Sequence, residues 1–538
     1  VPADLDGDGE QDLVAATSRV LWPLVRRPVG LVRGAETAFQ GPATALATAD
    51  VDGDGRLDVA VLTGSGLSLW QNVDDAGLPG LRRVPLAFPL LNGNTLLRMI
   101  WADFDGDGRR DALVIGSQDS HLVTRAREDP WGFTVTRLHL PTLGSRCEAA
   151  DMDGDGDLDL MAADRVAAGN DGPLVTHRSA GVWWNDGGGR FTRDPLSSLP
   201  LARIEGLYAL GVTWLDEDTT PDPWAIVRGA DTGPTLVTYR TVAGGFLPMA
   251  RVATDALSAT DVAWVDLDQD GVNDVALPAG WTPRIPQDSW APARRIDLYH
   301  GDGAGGLSLA SQRLLGYTNL LVFNPGGDGR PGLLAGLVAL GNRGERLNVP
   351  PSAPGELRAQ VQGDWLRLSW RRAIDLNQSA EPTYNVRIGT VPGGNDVVAS
   401  DSLADGRRLV SNLGNAGKSR YLELRLPHLP SGPLYWSVQA IDHALAGGPF
   451  ATEQVILEFP RGRGPVAVLG LARRSPSAPS RLLLRLRVDP PAAALIQGSA
   501  DLSTWHDRWV LSPGPDGWVE RDVPQDSPDR FWRAEAAP

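Results

Sequence analysis

Five short stretches of this sequence place four aspartates at the same spacing and could bind a metal ion. The first is Asp4-Leu-Asp-Gly-Asp-Gly-Glu-Gln-Asp12, with aspartate at positions 1, 3, 5 and 9 and glycine at positions 4 and 6. The same aspartates recur in residues 50–58, 103–111, 151–159 and 266–274. Glycine at position 6 permits the sharp turn that would gather the carboxylates around one point.

The residue types favour calcium over other ions. Calcium accepts roughly six to eight oxygen ligands in flexible geometry, whereas magnesium needs a near-ideal octahedron. Position 7 varies freely, as expected if only its backbone carbonyl is used. We therefore predict about five calcium ions, with the following ligands: Asp4, Asp6, Asp8, Glu10, Asp12; Asp50, Asp52, Asp54, Arg56, Asp58; Asp103, Asp105, Asp107, Arg109, Asp111; Asp151, Asp153, Asp155, Asp157, Asp159; Asp266, Asp268, Asp270, Val272 and Asp274.

Two degenerate copies, the fifth and the seventh in chain order, are predicted to hold no ion. The fifth copy is taken to start at Asp216, which puts Thr220 and Trp224 at positions 5 and 9. The seventh copy starts at Asn324 and replaces three of the aspartates. A solvated hairpin turn would explain one Asp-Gly-Asp-Gly stretch, but five copies with the same four aspartates argue against it.

Short apolar stretches flank each copy and must position it. Around the second copy these are residues 45–49 and 58–62, and a third stretch at 69–72 ends in a turn. Such β-rich runs bounded by Gly, Asn and Asp predict strands. The seven copies start 46 to 65 residues apart. A unit of about four strands, repeated seven times, predicts a seven-bladed β-propeller in an all-β protein.

These repeats resemble the FG-GAP and VCBS repeats of integrin-α-like propellers, and the resemblance covers the predicted first domain, residues 1–349. It implies that each calcium loop joins the first two strands of a blade. Integrin heads bind ligands with additional surface loops that have no match here, so the resemblance assigns no ligand site.

The first and last blades look incomplete in sequence. Only residues 1–3 precede the first loop, and residues 324–350 leave room for two further strands rather than three. The short N-terminal strand could close the ring, or a strand from another subunit could complete the open edge. A three-stranded end blade covered by the next domain is the third alternative.

Two smaller β-domains are predicted after the propeller. Residues 350–460 contain runs at 366–370, 384–388 and 434–440 that alternate with period two. They are similar to the fibronectin type III sandwich that follows such propellers in secreted bacterial proteins. Residues 464–538 are predicted to form a small C-terminal β-domain.

Composition narrows the classes of function. The chain has 50 basic and 66 acidic residues and a formal charge of −16, which disfavours a nucleic-acid partner. No apolar run is long enough for a transmembrane helix. The single cysteine, Cys147, excludes an intrachain disulfide and is expected to be buried and inert.

We predict a non-enzymatic function. The histidines are scattered, His300 is expected to be a turn residue at a strand end, and there is no Gly-x-Ser-x-Gly motif. The favoured hypothesis is a secreted or cell-surface calcium-binding protein that binds a protein or glycan on the propeller face. The second is a structural subunit of an extracellular fibre or matrix that self-associates by strand addition, and the third is a propeller polysaccharide lyase.

Overall fold

Strands make up nearly all of the regular structure. A computed structural model describes residues 1–64, 66–75, 78–85, 96–116, 119–126, 131–138, 140, 143–164, 179–201, 204–216, 218–229, 233–254, 262–280, 294–314, 320–324, 329–335, 338–342, 347–362, 365–430, 432–456, 468–475, 478–487, 494–499, 506–511, 518–524 and 531–536. The only helical element among them is a 3-10 turn at Leu426–His428. The prediction of an all-β protein is confirmed.

Seven antiparallel sheets follow one another in the described residues up to 342. The first has β1 Pro2–Ala3, β2 Asp12–Ala16, β3 Val20–Arg27, β4 Gly30–Arg33 and β5 Thr37–Ala38. The second has β6 Ala43–Ala49, β7 Asp58–Thr63, β8 Gly66–Asp75 and β9 Leu78–Val84. The third has β10 Leu96–Ala102, β11 Asp111–Gly116, β12 Ser120–Arg125 and β13 Phe133–Leu138.

The next four sheets repeat this pattern. The fourth has β14 Leu143–Ala150, β15 Asp159–Asp164, β16 Ser179–Asn185 and β17 Phe191–Ser198. The fifth has β18 Ile204–Thr213, β19 Asp222–Gly229, β20 Pro234–Val242 and β21 Gly245–Ala253. The sixth has β22 Ala263–Val265, β23 Asp274–Gly280, β24 Arg294–Gly301 and β25 Leu307–Leu314. The seventh has three described strands, β26 Leu320–Phe323, β27 Gly332–Ala335 and β28 Val338–Leu340.

Successive sheets pack face to face, which explains the burial of their second strands. Every residue of β7 and β11 is buried. Hydrophobic clusters draw on two neighbouring sheets, as when Leu62 and Leu69 of the second sheet pack with Met99 and Val114 of the third. A strand covered on both faces is apolar throughout instead of alternating.

The first and seventh sheets also contact each other. Strand β1 lies against β26. The backbone N–H of Asn324, just after β26, donates to Oε1 of Gln11 at 2.8 Å, across 313 residues of sequence. The first and the seventh sheets are therefore neighbours in the fold.

Six further strands follow, in two three-stranded sheets. They are β29 Gly355–Gln362, β30 Trp365–Arg371, β31 Thr383–Gly389, β32 Tyr421–Arg425, β33 Leu434–Ile441 and β34 Gln454–Ile456, in the orders β29-β30-β32 and β31-β33-β34. Trp436 and Val438 are fully buried, as the alternation in this region predicts.

The last strands form two more three-stranded sheets, β35-β36-β39 and β38-β37-β40. Their bounds are β35 Val468–Ser475, β36 Ala478–Arg487, β37 Ala494–Ser499, β38 His506–Leu511, β39 Trp518–Pro524 and β40 Phe531–Ala536. No described helix is long and apolar enough to span a membrane.

The chain divides into two compact units. The first comprises Val1–Arg358, Leu368–Leu424 and Tyr435–Gln454, and the second comprises Ala359–Arg367, Arg425–Leu434 and Val455–Pro538. We call residues 368–424 and 435–454 the docked segment, because within the first unit they contact the loops described below. The domain boundaries 1–349, 350–460 and 464–538 rest on sequence alone and stay predictions.

Candidate metal centres

The five aspartate loops connect the first and second strands of their sheets, as the resemblance implied. In the second loop, Ala49 before position 1 pairs with Asp58 at position 9. The same register joins Ala3 to Asp12, Ala102 to Asp111, Ala150 to Asp159 and Val265 to Asp274. Each loop is therefore closed at its base by one pair of the antiparallel ladder.

The aspartate at position 1 organises the loop backbone. Oδ1 of Asp50 accepts the N–H of Gly53 at 2.8 Å, and Oδ2 accepts the N–H of Gly55 at 2.9 Å. Gly53 and Gly55 have φ of 80° and 87°, a conformation that costs glycine little. The same two bonds reach position 1 in the other loops, at Asp4, Asp103, Asp151 and Asp266.

The aspartate at position 9 ties the loop to the third strand. Oδ2 of Asp58 accepts the N–H of Val51 at 3.0 Å, and Oδ1 accepts the N–H of Asn72 in β8 at 2.9 Å. Asp12, Asp159 and Asp274 make the equivalent pair of bonds. In the third loop, the buried Oδ1 of Asp111 has no hydrogen-bond donor among the described residues, so it is an acceptor available to a cation.

Carboxylate oxygens converge in all five loops. One oxygen from each of three side chains lies within 4.8 Å of the others in four of them. These sets are Asp4, Asp6, Asp8; Asp50, Asp52, Asp58; Asp103, Asp105, Asp107; and Asp151, Asp153, Asp159. In the sixth loop, Asp268 and Asp274 form such a set with His300.

Burial and mutual repulsion disfavour the charged form of these aspartates. The pKa of Asp50 is raised to about 7 and that of Asp58 to about 8, first by burial and also by the neighbouring carboxylates, against the lowering effect of backbone N–H groups. The pKa of Asp103 is raised by burial first and then by Asp107 and Asp105. A cation at the centre of each loop would relieve both costs.

The donor set fits calcium. Carboxylate oxygens are crowded together in each of the five loops, and a hard divalent cation prefers such oxygen ligands. In the sixth loop a nitrogen of His300 lies beside them. The third loop in addition has the orphaned oxygen of Asp111. If calcium binds, the carboxylates of positions 1, 3, 5 and 9 would hold it and the ion would offset their repulsion.

Side chains at position 7 have partners other than an ion, as the first and third loops show. Glu10 pairs with Arg26 at 3.0 Å. The Nε of Arg109 donates to Oδ2 of Asp107 at 3.0 Å. Val272 has no side-chain oxygen and could contribute only its carbonyl. Use of the position-7 carbonyl as a ligand stays a prediction.

A basic side chain already lies on the first loop. Nη2 of Arg27 is 2.6 Å from Oδ2 of Asp6, and Nη1 is 3.4 Å from Oδ2 of Asp8. These residues line a cavity of about 340 Å³ together with Arg56 and three apolar residues, Leu5, Leu78 and Pro79. Calcium at this loop would compete with the Arg27 guanidinium.

Sequence reasoning missed a third-strand side chain that contacts the aspartate at position 3. Nε2 of Gln71 donates to Oδ2 of Asp52 at 2.7 Å. Nδ1 of His300 lies 3.3 Å from Oδ2 of Asp268. His300 lies at a strand end as expected, but it belongs to β24 rather than to a turn, and its ring contacts the loop between the first two strands of the same sheet. Gln71 and His300 each directly precede the residue whose N–H donates to the position-9 aspartate, and this place in the repeat could have identified them.

The fifth loop starts two residues earlier than the sequence suggested. Thr213 pairs with Asp222 at the base of the loop. Oδ2 of Asp222 accepts the N–H of Leu215 at 3.1 Å, as Asp58 does for Val51. Position 9 is therefore Asp222 rather than Trp224.

This corrected alignment restores most of the fifth loop. Asp216 and Asp218 stand at positions 3 and 5, and Thr220, predicted for position 5, stands at position 7. Of the four aspartate positions, only position 1 is changed, where the residue is Trp214. In the seventh loop Phe323 pairs with Gly332, which places Gly332 at position 9 as predicted, while Gly326 lies outside the described residues.

The docked segment contacts the loops directly. Nε2 of Gln378 donates to Oδ2 of Asp266 at 3.0 Å, and the N–H of Asp266 donates to the carbonyl of His443 at 3.0 Å. Nδ2 of Asn395 lies 3.4 Å from Oδ2 of Asp50. Contacts to the first, third, fourth and fifth loops pair Arg407 with Asp8, Asp401 with Arg110, Tyr421 with Gly154 and Lys418 with Asp216.

Comparison with protein families matches the FG-GAP-like repeat three times, over residues 4–61, 50–114 and 103–162. These matches include the first four aspartate loops. Comparison with curated protein sequences gives no match.

Solved structures similar to this chain include two described as putative 6-phosphogluconolactonases. The one from Bacteroides fragilis NCTC 9343 is 12% identical with a TM-score of 0.38, covering 69% of this chain and 95% of its own. The one from Bacteroides uniformis ATCC 8492 is 11% identical with a TM-score of 0.38, covering 67% of this chain and 91% of its own. Similarity at this level carries no inference about this chain.

Proposed function

We propose that this chain is a secreted or cell-surface calcium-binding protein that acts by binding a partner rather than by catalysis. The observation that carries the proposal is the repetition of one carboxylate arrangement in loops at equivalent positions of five sheets. The three FG-GAP-like repeats in residues 4–162 support it. Abundant extracellular calcium would keep loops of this kind loaded.

We further propose that the seven sheets are the blades of a β-propeller. Each packs on the next, and the first contacts the seventh through β1 and β26. Calcium in the loops would then hold the first and second strands of five blades in place. The following sandwich is proposed to be of the fibronectin type III class.

The partner is proposed to bind at the end of the sheets opposite the calcium loops. The docked segment contacts those loops, which leaves less of that end free. In an antiparallel sheet the connection between the second and third strands lies at the opposite end. The longest such connections, residues 165–178 and 281–293, lie outside the described residues. A protein or a glycan is the proposed partner.

The state of the single cysteine supports the non-enzymatic proposal against one class of enzyme, in which a cysteine thiolate is the nucleophile. Cys147 is fully buried in β14, and burial raises the pKa of its thiol to about 12. It therefore stays protonated and is not a nucleophile at neutral pH.

One observation favours the second candidate, a subunit of an extracellular fibre. The seventh sheet has three described strands where the second to sixth have four, and β28 is its last. An unpaired strand edge can accept a strand from another copy.

Size-exclusion chromatography with light scattering, in millimolar calcium and in excess EDTA, tests the two candidates. We expect a monomer in calcium. Large calcium-dependent assemblies would instead support the fibre candidate. A chain whose size and melting temperature are both unaffected by EDTA would contradict the calcium-binding proposal itself.

A further inference from the structure

The fifth loop contains a cation that comes from the protein itself. Lys418, the only lysine of the chain, is 1% exposed. Its Nζ lies 3.3 Å from the carbonyl oxygen of Asp216 and 3.4 Å from that of Asp218. These are positions 3 and 5 of the loop. A buried ammonium requires such acceptors and nearby negative charge.

The remaining contacts of the fifth loop also suit a protein cation. Nε of Arg240 pairs with Oδ2 of Asp216 at 2.6 Å. Trp214, which replaces the position-1 aspartate, presents its ring 6.0 Å from Nζ of Lys418 and donates its indole N–H to the carbonyl of Thr219 at 3.1 Å.

The fifth loop thus sets three carboxylates against Arg240 and Lys418. The five intact loops have four carboxylates each, and the first of them also has an arginine, Arg27, at its position-3 aspartate. The buried Lys418 is therefore the cation that sets the fifth loop apart from the first.

We propose that the Lys418 ammonium, supplied by the docked segment, takes the place of calcium at the fifth loop. The loop keeps three aspartates, so its carboxylates alone would not exclude a metal ion. Lys418 and Arg240 repel a divalent ion, and Trp214 removes one ligand. This inference rests on the proposed calcium binding only for its comparison loops.

Counting bound calcium in two matched variants tests the proposal. Asp54→Asn and Asp218→Asn change the same position in the second and fifth loops, and each Oδ1 accepts the position-7 N–H at 2.8 Å. After dialysis in calcium and metal analysis, Asp54→Asn should hold one ion fewer than wild type, and Asp218→Asn should hold the wild-type number. A loss of one ion in Asp218→Asn would overturn the proposal. Wild type without any calcium would overturn the proposed function, and the next experiment would then decide the role of Lys418.

A double-mutant cycle tests the charge of Lys418 without reference to metal. Lys418→Met retains the bulk of the side chain and should destabilise the fold, and Asp218→Asn should offset part of that loss. We expect a coupling of at least about fivefold in the unfolding equilibrium constant. Lys418→Met combined with Asp54→Asn should be additive and is the control. Additivity in the first cycle would overturn the proposal.

If Lys418→Met does not fold, the burial of the Lys418 amine can be measured in the wild-type chain instead. Because the chain has one lysine, amine labelling followed by peptide mass spectrometry reports on Lys418 alone. Labelling in the folded chain should be at least about tenfold slower than in urea. Labelling at the unfolded rate would show an exposed amine and overturn the proposal.

Discussion

The aspartates of one loop divide into two groups by their contacts. Those at positions 1 and 9 are buried and accept backbone N–H groups with both oxygens, as Asp50 and Asp58 do. Those at positions 3 and 5, such as Asp52 and Asp54, are more exposed and each accepts one short-range N–H. The first group therefore shapes the loop in addition to offering oxygens to an ion, whereas the second contributes little to the loop apart from its oxygens.

This division predicts different effects for two substitutions in the fourth loop. Asp159→Asn turns an amide N–H toward one of the two backbone donors, Met152 and Asn185, and should cost about 1–3 kcal/mol with or without calcium. Asp155→Asn should lower the stability only in calcium, because the substitution removes a carboxylate ligand at an exposed position and breaks no buried contact. Urea unfolding in calcium and in EDTA measures both, and equal losses in EDTA would contradict the division.

The raised pKa values predict how stability without calcium depends on pH. The pKa of Asp4, Asp50 and Asp266 is raised from 3.8 to about 7, first by burial, so the folded state binds more protons than the unfolded state between these values. The stability they contribute is complete below about pH 4 and is lost as the pH rises towards about 7. In EDTA the urea concentration at the unfolding midpoint should therefore decrease as the pH rises from about 5 to about 8. In calcium this fall should disappear, and its persistence there would contradict ion binding at these residues.

The elements of the sheets were largely predictable because their determinants are local. The apolar run 58–62 lies within β7, and the glycines of the loop specify the turn that precedes it.

The alignment of the fifth loop failed because Asp216 was taken as position 1. Position 2 is apolar in the five intact loops, and Leu215 rather than Glu217 meets that condition. The signal was present in the sequence.

The contacts of the docked segment were not predictable. Gln378 and Asp266 are separated by 112 residues, and no spacing rule connects them. Likewise, nothing local distinguishes Lys418 from a surface lysine, although it is buried against the fifth loop. Packing between distant segments decides both.

Gln378 provides a test of the docked segment as an element. Its side chain is 3% exposed, donates to Asp266 and accepts the N–H of His443 at 3.0 Å. Gln378→Leu leaves the buried N–H of His443 without this acceptor and removes one of the two donors to Oδ2 of Asp266, so it should cost about 1–3 kcal/mol. Gln454→Leu, at an exposed position, is the control and should stay within about 0.5 kcal/mol. Similar urea midpoints for the two variants would show that the contact contributes nothing.

For the whole molecule, calcium changes the balance of charge. Five ions would reduce the formal net charge of −16 to about −6. An ion present at about a hundred times its dissociation constant stabilises the folded state by about 2.7 kcal/mol per site. Several such sites would decide whether the sheets hold together.

The most direct test of this account is the melting temperature of the full chain by calorimetry in millimolar calcium, in excess EDTA and in millimolar magnesium. We expect a melting temperature several degrees higher in calcium than in EDTA. Magnesium should be a poor substitute, because the loops offer flexible carboxylates rather than a rigid octahedron. Equal melting temperatures in calcium and EDTA would contradict the claim that calcium holds these loops together.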